Sequence, residues 1–145
     1  MRVYTIDSSV IIKWIFPEKT EENHVPQALL LLRAIKQNTI KVLQPTHWLA
    51  ETIAVIVRLQ PEIAGESIDL LSAMEFPVIN IPEVYQLACQ LSERYEHHLF
   101  DTLYHAVALY SGNAQFVTAD EKYYRKTYKQ GAIVRLDEFS SFDFL

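Results

Sequence analysis

A chain of 145 residues, half of them hydrophobic and 21% charged, is long enough to bury the core of one domain and too apolar to stay disordered. Its net charge of −5 speaks against nucleic acid as a partner when taken as a global count, so the distribution of charge has to be followed locally. The three glycines, Gly65, Gly112 and Gly131, are isolated, which excludes a glycine-rich phosphate cradle and Rossmann-type cofactor binding; phosphate chemistry would need metal or basic side chains.

The predicted elements alternate along the chain. Arg2–Ile6 is a short β-rich run, and the residues after Asp7 are helical. Glu21–Gln37 reads as a helix around the apolar stretch Ala28–Leu32, and Ile40–Gln44 as a second strand closed by Pro45. His47–Leu59 is helical and ends before Pro61; Glu62–Met74 is a further helix, and Pro77–Ile81 a third strand candidate. Glu83–Arg94 and Leu99–Ser111 read as helices. Gln115–Thr118 and Ala132–Leu136 read as strands, with a helix at Asp120–Tyr128 between them. Strands separated by helices imply a parallel sheet with helices on both faces, so one three-layer α/β/α domain is expected over residues 1–145. No repeat, low-complexity segment or domain-dividing linker interrupts it.

No apolar run reaches the ~18 residues of a membrane span, and Met1–Ile6 leads into the first apolar run without a cleavage pattern. A soluble protein is expected. Cys89 is the only cysteine, so a reducing cytoplasm is the default, and its neighbours Leu87, Ala88 and Leu91 place it in core packing.

Four acids carry the chemical argument. In open parallel sheets ligands bind beyond the carboxyl ends of the strands. Asp7 directly follows the first strand and Asp120 follows Gln115–Thr118 after one alanine, so adjacent strands would put both in one crevice. Each also precedes a helical segment, where aspartate serves as an N-cap, and capping alone would explain either. Glu51 lies in Trp-Leu-Ala-Glu-Thr-Ile-Ala-Val-Ile-Val, apolar nearly all round, with Trp48, Val55 and Leu59 on its side of the helix. An ionised carboxylate in a buried helix costs several kcal/mol unless it is paired or metal-bound. A salt bridge or a place at a cleft edge is the competing explanation. Asp101 opens the helix that runs through Ala108 and would be accounted for by capping if it stood alone.

In order, Tyr-Thr-Ile-Asp7-Ser-Ser-Val-Ile-Ile-Lys-Trp, Trp-Leu-Ala-Glu51, Phe-Asp101-Thr-Leu-Tyr-His-Ala-Val-Ala-Leu and Phe-Val-Thr118-Ala-Asp120-Glu-Lys resemble the PIN-domain nucleases. Within that family they resemble the VapC-like toxins of bacterial and archaeal toxin–antitoxin pairs. The resemblance spans the whole chain. It implies a five-stranded parallel sheet flanked by helices, Mg²⁺ or Mn²⁺, endonucleolytic cleavage of RNA, homodimers and inhibition by a small antitoxin. Asp7, Glu51, Asp101 and Asp120 fall on the family's acidic positions, and Ser8 and Thr118 on positions that often carry an orienting hydroxyl. Glu121 follows the fourth acid and receives no ligand role.

Such carboxylates repel one another and raise each other's pKa until a divalent cation is bound, and hard oxygen donors suit Mg²⁺. In-line attack of water on a phosphodiester is the expected reaction, with no Ser–His or Cys–His nucleophile. For the substrate, Lys122, Arg125, Lys126 and Lys129 recur at i, i+3, i+4 and i+7, a single helical stripe unless they simply form a solvated face. Tyr123, Tyr124 and Tyr128 are interleaved with them and suited to stacking on unpaired bases. Lys13, near Asp7, is a further candidate phosphate contact. Two other readings stay open at this point. His97, Asp101 and His105 at i, i+4 and i+8 form a comb that would suit a zinc hydrolase, and the same fold could serve as a catalytically silent RNA- or protein-binding module.

Overall fold

The computed structural model describes residues 1–17 and 24–140. Its first strand, β1 (Arg2–Ile6), becomes buried from Tyr4 onward and leads through Asp7 into α1 (Ser8–Ile15). Next come α2 (Val25–Lys36), β2 (Ile40–Val42), β3 (Gln44–Pro45), α3 (Trp48–Leu59), α4 (Ala64–Ser72) and β4 (Val78–Ile79). The chain continues through α5 (Pro82–Tyr95), α6 (Leu99–Ser111), β5 (Ala114–Thr118), α7 (Glu121–Thr127) and β6 (Ile133–Arg135). The start of the expected helix Glu21–Gln37 lies outside the described residues; the described part begins at Val25, with Pro26 in the first turn, where its missing N–H costs nothing.

The main sheet is parallel throughout, in the order β2-β1-β5-β6. It has four strands rather than the expected five. The third strand candidate, Pro77–Ile81, contributes only Val78–Ile79, which pairs with β3 in a separate two-stranded parallel ladder. The reason lies in Gln44. Leu43 still donates its N–H to the Tyr4 carbonyl at 2.9 Å, but at the next residue the chain leaves the sheet and Gln44 donates instead to the Pro77 carbonyl at 2.9 Å. Its side chain takes over the ladder: Oε1 accepts from the Ile6 N–H at 2.8 Å and Nε2 donates to the Ile6 carbonyl at 2.9 Å. Gln44 is fully buried, and Pro45 after it has no N–H with which to extend the pairing.

One core holds the sheet together with α1, α2 and α3, around Ile6, Ile11, Leu31, Ile56, Phe116 and Val117. A second joins α5 to α6 through Val84, Ala88 and Leu91, spaced i, i+4 and i+7 on one face, against Leu103, Ala106 and Val107. Every residue of α6 from Thr102 to Ala108 is buried, because this helix is covered by α5 on one side and lies against β1 and β5 on the other. Gly112 ends it at φ 79°, a left-handed turn that relieves its last carbonyls at no steric cost. By contrast α3 is not the fully buried helix its composition implied. Only Trp48, Thr52 and Ile56 are buried, while Val57 and Leu59 are about half exposed, since its neighbours α1 and α4 cover only part of it. Cys89 is exposed, so it is not a core residue. Among the described residues no helix is long and apolar enough to cross a membrane.

Candidate metal centre

Because β1 and β5 are neighbours in register, with Ile6 opposite Val117, their carboxyl ends deliver Asp7, Thr118 and Asp120 to one place. The Asp7 N–H donates to the Val117 carbonyl at 3.0 Å, which extends the ladder by one residue and fixes the Asp7 backbone. The other acids arrive on helices. Glu51 is in the first turn of α3 and Asp101 in the first turn of α6; Asp7 and Asp120 occupy the positions just before α1 and α7. All four carboxylates thus stand at helix N-termini, where the exposed N–H groups favour negative charge by about 0.3–1 kcal/mol each.

Side-chain geometry separates capping from site roles. Asp7 makes no side-chain capping bond to α1. Its Oδ2 instead accepts from the Ser9 hydroxyl at 2.9 Å and the Thr118 hydroxyl at 2.9 Å. Thr118 Oγ1 in turn accepts from the Asp120 N–H at 3.0 Å, so one hydroxyl links the two strand-end acids. Asp120 does cap its helix, accepting from the Tyr123 N–H at 3.0 Å. The cap of α6 is His98, whose ring accepts from the Phe100 N–H, so capping, the competing explanation for Asp101, is not its role. Glu51 Oε1 accepts from the Ser8 hydroxyl at 2.6 Å and from the Tyr104 hydroxyl at 3.1 Å. His47 lies 3.7 Å from Glu51. With 21% side-chain exposure Glu51 sits at a cleft edge, the bland alternative to full burial, yet its position is fixed by two hydroxyls.

Asp7 carries the electrostatic signature. Burial pushes its carboxyl up to about 7, the Thr118 and Ser9 hydroxyls partly counter that shift, and the charges of Asp101 and Glu51 add to it. Tyr104 is raised as well, by burial and by the Asp7 and Glu51 charges, so its hydroxyl stays protonated and donates. Burial of one carboxylate, Asp7, beside other acids penalises its charge, and that arrangement fits a divalent cation with hard oxygen donors. His97, Asp101 and Asp120, each partly buried, also present one ligand atom apiece within 4.8 Å of one another.

The remaining predicted residues divide. Lys122, Arg125, Lys126 and Lys129 are all exposed, although α7 stops at Thr127 and Lys129 belongs to a 3-10 turn, which bends the stripe. Arg125 is paired with Glu121 at 3.1 Å, and Lys126 Nζ lies 3.2 Å from His97 Nδ1. Lys13 is 3% exposed and so is not a surface contact for phosphate; it falls on the inward face of α1. Tyr123 is 1% exposed and cannot stack on a base, whereas Tyr128 is half exposed. The zinc comb does not form. His97 precedes α6, and His105 is fully buried with both ring nitrogens engaged, by the Tyr123 hydroxyl and the Gly131 carbonyl, at 2.8 Å each.

Ser9, Tyr104 and His47 do not stand out in the sequence as site residues. Two of them carry a helical signal: Tyr104 follows Asp101 at i+3, and His47 precedes Glu51 at i,i+4. Ser9, two residues after Asp7, carries none.

Comparison with known proteins agrees with the fold. A family model described as PIN domain matches residues 4–129. Among solved structures, the 2.2 Å structure of VapBC-1 from nontypeable Haemophilus influenzae superposes with a TM-score of 0.64 at 15% identity, covering 94% of this chain and 99% of that one. A toxin–antitoxin complex from Klebsiella pneumoniae gives a TM-score of 0.60, also at 15% identity and with the same coverage. At that identity the likeness is one of fold. No curated protein matches the sequence.

Proposed function

Since this chain belongs to the PIN domain family, we propose that it is a metal-dependent endoribonuclease, and that it serves as the toxin of a toxin–antitoxin pair. The observation that carries the reading is convergence. Buried Asp7 lies within range of the charges of Glu51 and Asp101, and Asp101 in turn presents a ligand atom beside one from Asp120. Asp7, Glu51, Asp101 and Asp120 would hold Mg²⁺ or Mn²⁺. When bound, such a cation offsets the repulsion among the carboxylates and polarises water and phosphate oxygens for in-line hydrolysis.

The chain's own residues supply the order. Ser8 and Tyr104 hold the Glu51 carboxylate from two directions, and Ser9 and Thr118 hold Asp7. Tyr104, Phe116 and Val117 are buried, and the Tyr104 ring stacks on Phe116 with centroids 5.6 Å apart, which holds the Tyr104 hydroxyl in place. Ligand orientation fixed in advance in this way lowers the cost of reaching the transition state. Lys122 and Lys129, with Lys126 and Arg125 where they exchange their present partners for phosphate, are the proposed RNA contacts, and exposed Tyr128 a stacking surface. This local basic edge offsets the overall charge of −5.

The toxin role draws on the two structural neighbours, VapBC-1 and a second structure described as a toxin–antitoxin complex. It is also supported by the large apolar side chains left exposed on the packed pair α3 and α4, Val57, Leu59, Ile68 and Leu70, which a small antitoxin or a second copy of the chain would cover in part. Purified protein is expected to cleave single-stranded RNA with Mg²⁺ and to stop when EDTA is added. Absence of cleavage by the wild type with either Mg²⁺ or Mn²⁺ would reject the nuclease, while growth unaffected by strong expression would reject the toxin role alone.

A further inference from the structure

Among the described residues, His97 supplies the nitrogen donor of the cluster it forms with Asp101 and Asp120, and the four-carboxylate nuclease leaves it without a function. Its side chain is only 12% exposed, and Nε2 lies 2.9 Å from Asp101 Oδ2. The Tyr123 ring packs edge-on against it with centroids 4.7 Å apart, so the imidazole is held in place. Two donors on adjacent octahedral positions around a cation with bonds of about 2.1 Å stand about 3 Å apart, which is the separation between His97 and Asp101. Asp120 completes a set whose ligand atoms all fall within 4.8 Å.

We propose that His97 Nε2, Asp101 and Asp120 form a mixed nitrogen–oxygen metal position, which makes this centre prefer a first-row transition cation such as Mn²⁺ over Mg²⁺. The inference rests on the nuclease reading for its biological use, but not for its chemistry. Imidazole is a good ligand for transition cations, whereas Mg²⁺ prefers carboxylates, phosphate and water. Ligation through Nε2 puts the ring proton on Nδ1, the nitrogen 3.2 Å from Lys126 Nζ. Lys126 is exposed and long, so loading the metal turns its ammonium away from the ring and toward solvent, on the side where the basic stripe runs.

The test is Mn²⁺ titrated into the metal-free full chain and read by pulsed EPR. The wild type is expected to show nitrogen-14 hyperfine modulation on bound Mn²⁺. His97→Gln, which keeps a polar side chain beside Asp101, is expected to lose that modulation. It should also bind Mn²⁺ about tenfold or more weakly while its Mg²⁺ affinity changes little. Bound Mn²⁺ without nitrogen coupling in the wild type, coupling that persists in His97→Gln, or no saturable Mn²⁺ binding would each overturn the proposal. RNA cleavage measured in parallel separates the two claims. Cleavage without nitrogen coupling leaves the nuclease and removes the His97 ligand; coupling without cleavage in either metal does the reverse.

Discussion

Asp7 is the residue at which burial and charge conflict most directly. Its folded-state carboxyl is raised to about 7 from an ordinary 3.8, so without metal the folded chain binds a proton there that the unfolded chain has already released. Stability contributed at this position is therefore highest at acid pH, falls as pH rises from about 4, and is fully lost above about 7. Thermal melts of metal-free protein in EDTA are expected to show that decline, worth a few kcal/mol as an order of magnitude. Asp7→Asn should flatten it and leave the metal-free protein more stable than wild type at pH 8. The same substitution removes a proposed ligand, so RNA cleavage should fall by about 100-fold or more. Equal cleavage by Asp7→Asn and wild type would refute the assigned role. Thr118→Val tests the hydroxyl that links Asp7 to Asp120; loss of about 1 kcal/mol in urea unfolding is expected, with a further rise in the Asp7 carboxyl pKa followed by NMR.

Among the elements, the junction of β2 with β3 decides the width of the sheet. Gln44 stands in for a strand by giving both backbone groups of Ile6 a side-chain partner, and it does so one residue before Asp7. Gln44→Ala leaves a buried N–H and a buried carbonyl without partners, each costing about 1–3 kcal/mol. Denaturant unfolding should thus register a loss of roughly 2–5 kcal/mol on that principle. Because Ile6 sets the position of Asp7, metal affinity should fall along with stability. A Gln44→Ala protein as stable as wild type would mean that water or a shifted strand replaces the amide. Four helix N-termini meeting at the strand ends have a parallel consequence: the acids occupy positions where the helices themselves favour negative charge.

For the molecule as a whole, the chain is acidic and the proposed RNA substrate anionic, so binding would depend on its exposed basic edge. Reversing charge at Lys122 and Lys129 together should weaken single-stranded RNA binding and flatten its dependence on salt. The expected change in slope is about 0.7 for each phosphate that is no longer neutralised. Fluorescence anisotropy over a salt series measures it, and an unchanged slope would place the RNA elsewhere. Folding should be unaffected, because both side chains are exposed.

Local sequence was enough to determine the alternation of strands and helices, including β1 at Arg2–Ile6 and α6 at Leu99–Ser111 to the residue, because apolar periodicity and helix-ending glycine act within a few residues. It also singled out the four acids proposed as metal ligands, whose places after strands and in helices are properties of chain order. What lay beyond it was contact across the chain. That Thr118 would bond Asp7 across 111 residues, that Tyr104 would reach Glu51, or that the Gln44 side chain would take over the ladder beside Ile6 depends on register and side-chain direction fixed only by packing. The same holds for burial. Lys13 and Tyr123 read as surface residues from their neighbours, and α3 as a core helix, but exposure is decided by what another element covers. His97 changed role for this reason. In sequence it belonged to a comb with His105, whereas tertiary structure buried His105 against Tyr123 and Gly131 and set His97 beside Asp101 and Asp120.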